Sequence, residues 1–193
     1  LIVVDHYGLN KEWEINISNS LNAKVLVIDD LVREHFADLI LDQTFGRDSR
    51  GYIRNNNNCP ILAGSDFSLL APEFSTLRAN KSYCEKPKVE YKILVSMGAI
   101  DKPNVTLKVL EKLQDINDID LKVTALLSER SPSYESVKEF CSKSKYLEHI
   151  AFSTNMAQLM SEHHIAIGAP GSTSWERACL GLPSIIIPIA DNQ

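Results

Sequence analysis

The chain of 193 residues holds 20 Lys and Arg against 25 Asp and Glu, a formal net charge of −5, with 44% hydrophobic and 23% charged side chains. That composition describes a globular chain with material for one large or two small domains. It excludes a basic nucleic-acid surface, and no apolar run reaches the length of a bilayer-spanning helix.

In chain order, apolar runs at 2–4, 25–28, 39–41, 61–62, 93–95, 123–127, 150–152, 165–167 and 185–187 predict short strands. Their apolarity is continuous rather than alternating, which implies strands covered on both faces, as in a parallel sheet. Helices are predicted over 11–22, 104–114, 133–144, 156–162 and 173–180, and in the first of these Trp13, Ile17 and Leu21 share a face. Strands alternating with helices of this length make βαβ units. The rhythm breaks twice. Residues 46–59 are polar, carry the run Asn55, Asn56, Asn57, Asn58, and are expected to form an exposed loop. Residues 79–92 are charged and contain Pro87, which places a linker at 81–90. The expected organisation is therefore α/β with two doubly wound, Rossmann-like domains. Residues 1–80 form the C-terminal part of the first, and residues 91–193 form a second that lacks its final helices.

Cys59, Cys84, Cys141 and Cys179 show no paired spacing, which suits a reduced, cytoplasmic setting. The chain opens inside a strand pattern without Met or a signal-peptide pattern, and stops just after a strand. It is expected to be an internal fragment.

The most informative segment is Gly168-Ala169-Pro170-Gly171-Ser172-Thr173-Ser174-Trp175-Glu176, an apolar strand ending in small residues that open a helix. Free N–H groups at a helix start, beside hydroxyls, make a phosphate seat. A carboxylate one turn further in suits the two hydroxyls of a ribose, so a sugar nucleotide is the first ligand to consider. The alternative is local: Ser172 or Thr173 as an N-cap, with Glu176 completing a capping box. A second strand-to-helix junction, Ser96-Met97-Gly98-Ala99-Ile100-Asp101, precedes a helix opening near Asn104 and reads either as a ligand loop or as a tight turn. Asp5-His6-Tyr7-Gly8 sits at the end of the first strand, well placed for a cleft. Asp29-Asp30 and Asn155 read as helix caps, and His163-His164, at a strand start, as structural. Asn192 and Gln193 follow the last strand, where amides can reach a sugar or a phosphate. No spacing has metal-ligand character.

Asp5-His6-Tyr7-Gly8, Ser96-Met97-Gly98, the segment 152–160, Ser172 to Glu176 and Asn192-Gln193 occur in this order in the UDP-sugar hydrolases of pseudaminic acid biosynthesis, which the chain resembles along its whole length. Those enzymes release UDP from UDP-2,4-diacetamido-2,4,6-trideoxy-β-L-altropyranose. They are similar in fold to the GT-B glycosyltransferases, notably the N-acetylglucosaminyl transferase that makes lipid II. The resemblance implies two Rossmann-like domains of GT-B type with the sugar nucleotide between them, and displacement of UDP by water without a metal or other cofactor. By residue matching, Gly98, Ala99, Ser172 and Thr173 face the pyrophosphate and Glu176 the ribose. Phe152 and Met156, in the stretch 150–156, line the uracil. Tyr7 and Asn192 act on the sugar and the attacking water, with Asp5, His6 and Gln193 beside the substrate. The family's general-base histidine belongs to a glycine-rich loop upstream of Leu1, so no residue here takes that role and the chain alone is expected to be inactive. Ala71 stands where the family often has Arg, and Ala99 where it has a second glycine. The remaining alternatives are a GT-B transferase that passes the sugar to an acceptor, and a non-catalytic nucleotide-sugar-binding module, fused to or associated with another biosynthetic domain.

Overall fold

The computed structural model describes residues 1–53, 56, 59–80 and 90–189. The chain divides into two compact units, Leu1–Leu69 and Leu70–Gln193.

In the first unit, β1 (Ile2–Val4), β2 (Val25–Ile28), β3 (Leu39–Asp42) and β4 (Ile61–Ala63) form a parallel sheet in sequence order. Helix α1 (Lys11–Leu21) starts where Asn10 accepts the Trp13 N–H at 3.1 Å and ends at Asn22, which takes the left-handed conformation (φ 44°). Its inward face is not the expected apolar one. Trp13 and Leu21 are 36% and 61% exposed, whereas Glu14 is fully buried. The reason is a polar core at the C-terminal ends of the strands. Glu14 accepts from the Phe36 N–H at 2.7 Å and lies 2.8 Å from His35 Nδ1. His35 Nε2 faces Asp29 at 3.6 Å, and Asp29 in turn accepts from Arg33 Nε at 2.7 Å.

Asp29 therefore anchors a network rather than a helix. The loop expected over 46–59 is likewise partly internal. Helix α2 (Arg50–Ile53) buries Tyr52, whose hydroxyl lies 2.9 Å from Asp29 Oδ2 and 2.8 Å from Asp42 Oδ2. Asn56 is buried and accepts from the His35 N–H. Buried polar groups tolerate the interior only when paired in this way.

In the second unit, β5 (Tyr91–Ser96), β6 (Leu121–Leu126), β7 (Leu147–Ile150), β8 (Ile165–Gly168) and β9 (Ser184–Ile186) form a parallel sheet in the order β7-β6-β5-β8-β9. The intervening helices are α4 (Val105–Gln114), α5 (Tyr134–Ser142), α6 (Met156–Ser161) and α7 (Ser172–Cys179). Side chains alternate across β5. Ile93 and Val95 join Leu110, Leu113, Val137 and Cys141 on one face. Leu94 joins Ala157, Met160, Leu180 and Leu182 on the other. This is a doubly wound sheet, as expected, and no described helix is long and apolar enough to cross a membrane.

Two expectations shift. The strand expected at 150–152 is 147–150, so Phe152 lies in the following loop; Glu148 and His149 break the apolar run, which an edge strand accommodates. Helix α3 (Pro72–Asn80), not among the expected helices and lying in residues expected within the first domain, belongs to the second unit, because Phe74 is buried in the cluster of Leu94, Met160 and Leu180. The boundary thus falls at 69/70 rather than at 80/81. Most of the proposed linker, 81–89, lies outside the described residues.

His35 makes the first unit's stability depend on pH. Burial alone would lower its pKa, but the Asp29 and Glu14 carboxylates outweigh burial and raise it above 6.5. A raised folded pKa contributes stability that is full below the unfolded value and lost as pH rises through the folded one. His35→Ala should destabilise by about 1–3 kcal/mol at pH 6, with the gap to wild type narrowing toward pH 9. Urea denaturation across that range measures it, and a gap that widens with pH contradicts the assignment.

Candidate functional site

In the second unit the chain reverses its winding direction between β5 and β8, and in open α/β sheets ligands bind beyond the strand ends at such a point. The pairing is direct. Ser96 is the register partner of Gly168, and the Ala169 N–H donates to Ser96 O at 3.3 Å. The segments following β5 and β8 therefore leave the sheet side by side, and the two junctions singled out in the sequence share one edge.

Each junction leads into a helix, and the two helix starts differ. That of α4 is closed: the buried Asp101 carboxylate accepts the Val105 N–H at 3.0 Å and the Thr106 N–H at 2.8 Å. Asn104, the expected start, sits at φ 53° and makes no side-chain cap. That of α7 is open. Its N-cap is Gly171, at φ 130°, a conformation that favours glycine and supplies no capping side chain. Ser172 and Thr173 are the first helical residues rather than caps. The capping box weighed in the sequence does not form, because Glu176 stands too far into the helix. Its Oε2 is buried and has no hydrogen-bond partner among the described residues. Burial raises its pKa, against the opposing effect of the neighbouring Arg177. An uncapped helix start and an unpartnered carboxylate on one short helix are what a ligand with both phosphate and hydroxyl groups requires.

Gly98 (φ 86°) and Ala99 lie exposed in the loop after β5. Phe152, 79% exposed, follows β7 two strands away, about 10 Å across the sheet. Met156 opens α6 and packs toward the Leu94 cluster, so it is half core, while Asn155 caps α6 through the Gln158 N–H at 2.9 Å. In the first unit Asp5, His6 and Tyr7 are all exposed at the end of β1. His6 Nδ1 accepts the Gly8 N–H at 3.0 Å. The Tyr7 hydroxyl donates to Asp30 at 2.9 Å, which raises the Tyr7 pKa, and the Arg33 guanidinium lies 5.7 Å from its ring centroid. Asn192 and Gln193 lie outside the described residues. His163 and His164 are structural: His163 Nε2 lies 3.0 Å from Thr124 Oγ1, and His164 Nδ1 accepts the Lys92 N–H. Among the described residues no cluster of His, Cys, Asp or Glu is arranged to hold a metal ion.

Two residues at this edge escaped the sequence reading. Asp101 carried a signal, a carboxylate just ahead of a helix, but Asn104 competed for the cap. Arg177 carried none, since its burial depends on the turn that it packs against.

A strand-edge site with an open helix start defines a Rossmann-like, ligand-binding class. Residues 92–193 match the glycosyltransferase family 28 C-terminal domain, and the chain belongs to that family. It is 26% identical over its full length to the spore coat polysaccharide biosynthesis protein SpsG of Bacillus subtilis, covering 57% of that protein. It is 25% identical over 97% of its length to the uncharacterized protein MJ1062 of Methanocaldococcus jannaschii, covering 40%. It is also 24% identical over 84% of its length to the UDP-2,4-diacetamido-2,4,6-trideoxy-beta-L-altropyranose hydrolase of Campylobacter jejuni, covering 56%. The chain thus spans about half the length of the curated relatives it matches.

The two carboxylates should behave oppositely. Asp101→Ala removes a working cap and should lower stability by about 1 kcal/mol. Glu176→Gln removes a buried charge without a partner and should leave the melting temperature unchanged or higher. Thermal melts of the two variants decide, and a Glu176→Gln loss equal to that of Asp101→Ala would return Glu176 to a structural role.

Proposed function

We propose that this chain carries the nucleotide-binding part of a UDP-sugar hydrolase, which releases UDP from a 2,4-diacetamido-2,4,6-trideoxy sugar nucleotide in pseudaminic acid biosynthesis. The observation that carries the reading is the open start of α7 together with the unpartnered Glu176 carboxylate on the same helix. The N–H groups of Ser172 and Thr173, with Gly98 and Ala99 opposite, receive the pyrophosphate and stabilise the charge that grows on it as the glycosidic bond breaks. Glu176 accepts the ribose hydroxyls in charge-assisted hydrogen bonds. The loop bearing Phe152 lines the uracil. On this reading Tyr7, whose hydroxyl donates to Asp30, and Asn192 are assigned to the sugar and the attacking water, and Asp5, His6 and Gln193 to the substrate. The Campylobacter relative, named for this hydrolysis, supports the choice of reaction.

The family match favours a second reading, transfer of the sugar to an acceptor. Incubating the whole protein with the UDP-sugar and following UDP release with and without acceptor alcohols separates the two. Hydrolysis predicts release that does not depend on acceptor.

Two variants test the roles assigned. Glu176→Ala should weaken UDP binding by roughly 1.5–3 kcal/mol with an unchanged melt. Tyr7→Phe should lower kcat more than UDP affinity, because UDP lacks the group that Tyr7 would touch. Equal losses in both would move Tyr7 into the nucleotide pocket or the fold.

A further inference from the structure

Arg177 follows Glu176 on α7 and is only 2% exposed. A buried guanidinium is costly unless a counter-charge or a full set of acceptors compensates it. Neither is complete here. Nη2 donates to Ala169 O at 2.8 Å and to Ser174 Oγ at 3.0 Å, but Nε has no partner. Among the described residues no carboxylate forms an ion pair with it, and Glu176 acts on it only at a distance. Burial lowers its pKa from the usual arginine value, yet an arginine remains charged in proteins. The guanidinium lies directly against the end of β8. A Cβ on Gly168 would collide with Nη1 of Arg177 and with Ser96 O, so only glycine fits between them. The charge therefore sits behind the turn 168–171, beneath the start of α7 and beside the pairing of Ser96 with Gly168.

We propose that Arg177 is a positioning residue for an anionic ligand of the β8–α7 turn, a phosphate or pyrophosphate group whose charge it balances from behind. This rests on the sugar-nucleotide reading above and extends it to a residue that does not touch the substrate. By holding the Ala169 carbonyl, Arg177 keeps the turn folded so that the first N–H groups of α7 face outward. With no ion-pair partner among the described residues, it adds a full positive charge to the partial charge of the helix start. Ligand phosphate supplies the missing counter-charge. A purely structural clamp would also hold the turn, but it would not discriminate between charged and neutral ligands.

The test measures affinities of the whole protein for three probes: inorganic pyrophosphate, UDP and uridine. Arg177→Met should weaken both anions by about tenfold or more while leaving uridine within about twofold. Unchanged pyrophosphate affinity, or equal losses on all three probes, overturns the proposal. If the methionine variant does not fold, Arg177→Lys decides. Lysine keeps the charge, but its pKa falls on burial. The ratio of variant to wild-type pyrophosphate affinity should then drop as pH rises from about 6 to about 9.5, and a flat ratio overturns the proposal. The underlying reading fails separately. A wild-type protein that binds pyrophosphate but gains nothing from uridine contradicts the sugar nucleotide while leaving Arg177 tested by pyrophosphate. A wild-type protein that binds neither anion overturns both.

Discussion

Everything that the second unit can bind is constrained by the parallel pairing of β5 with β8, which sets Ser96 beside Gly168 at the point where the winding of the sheet reverses. The pairing needs a residue without a side chain on β8, since a methyl at Gly168 would strike both Ser96 O and the Arg177 guanidinium. With glycine there, the two following loops emerge together and α7 can begin on a second glycine, Gly171, without a capping side chain. The nearby α4 shows the opposite solution. There Asp101 takes up the N–H groups of the first turn, so the same edge of the sheet offers one closed helix start and one open one. Because unsatisfied N–H groups must find a partner somewhere, the open start is where an anion gains most.

The first unit is organised by a different constraint. Its strands are short, and much of its interior at their C-terminal ends is polar: Glu14, Asp29, His35, Asp42 and Tyr52 are all buried. Asp29 illustrates how these charges are kept. Burial pushes its pKa up, but the His35 imidazole facing it at 3.6 Å and hydrogen bonds from Arg33 and Tyr52 outweigh burial and hold it well below the ordinary carboxylate value. Such a network is worth little against an apolar core, yet breaking any one member strands the others. Its outer members hold the exposed end of β1. Arg33 donates to the carbonyls of Tyr7 and Leu9, which fixes the backbone bearing Tyr7 while its hydroxyl turns to Asp30.

The α/β rhythm was legible because most of the strands carry a continuous apolar run and helices of suitable length lie between them. The legibility failed where polar residues enter the interior. Tyr52 and Asn56 lie in a segment whose asparagine run reads as loop, and Glu14 lies on a helix whose apolar face points elsewhere; in each case the partner that makes burial tolerable is distant in sequence. The same applies to β7, where Glu148 and His149 hide an edge strand. At the candidate site the local grammar misled in one respect. The order Thr173, Ser174, Trp175, Glu176 matches a capping box, but the N-cap falls two residues earlier than that pattern needs, on Gly171, which leaves Glu176 Oε2 without a partner among the described residues. Arg177 was invisible for a related reason: a lone arginine on a short helix signals nothing until the turn that it packs against is known.

The central claim, that the open start of α7 and its carboxylate bind a nucleoside diphosphate, is tested most directly by following the backbone amides of the chain by NMR as UDP is added. The account predicts that the largest shifts fall on Ser172, Thr173 and Gly98, with the Glu176 carboxyl responding to UDP but not to pyrophosphate, and with the Asp101-capped amides of Val105 and Thr106 little changed. Shifts centred on α4, or none at the start of α7, would contradict it.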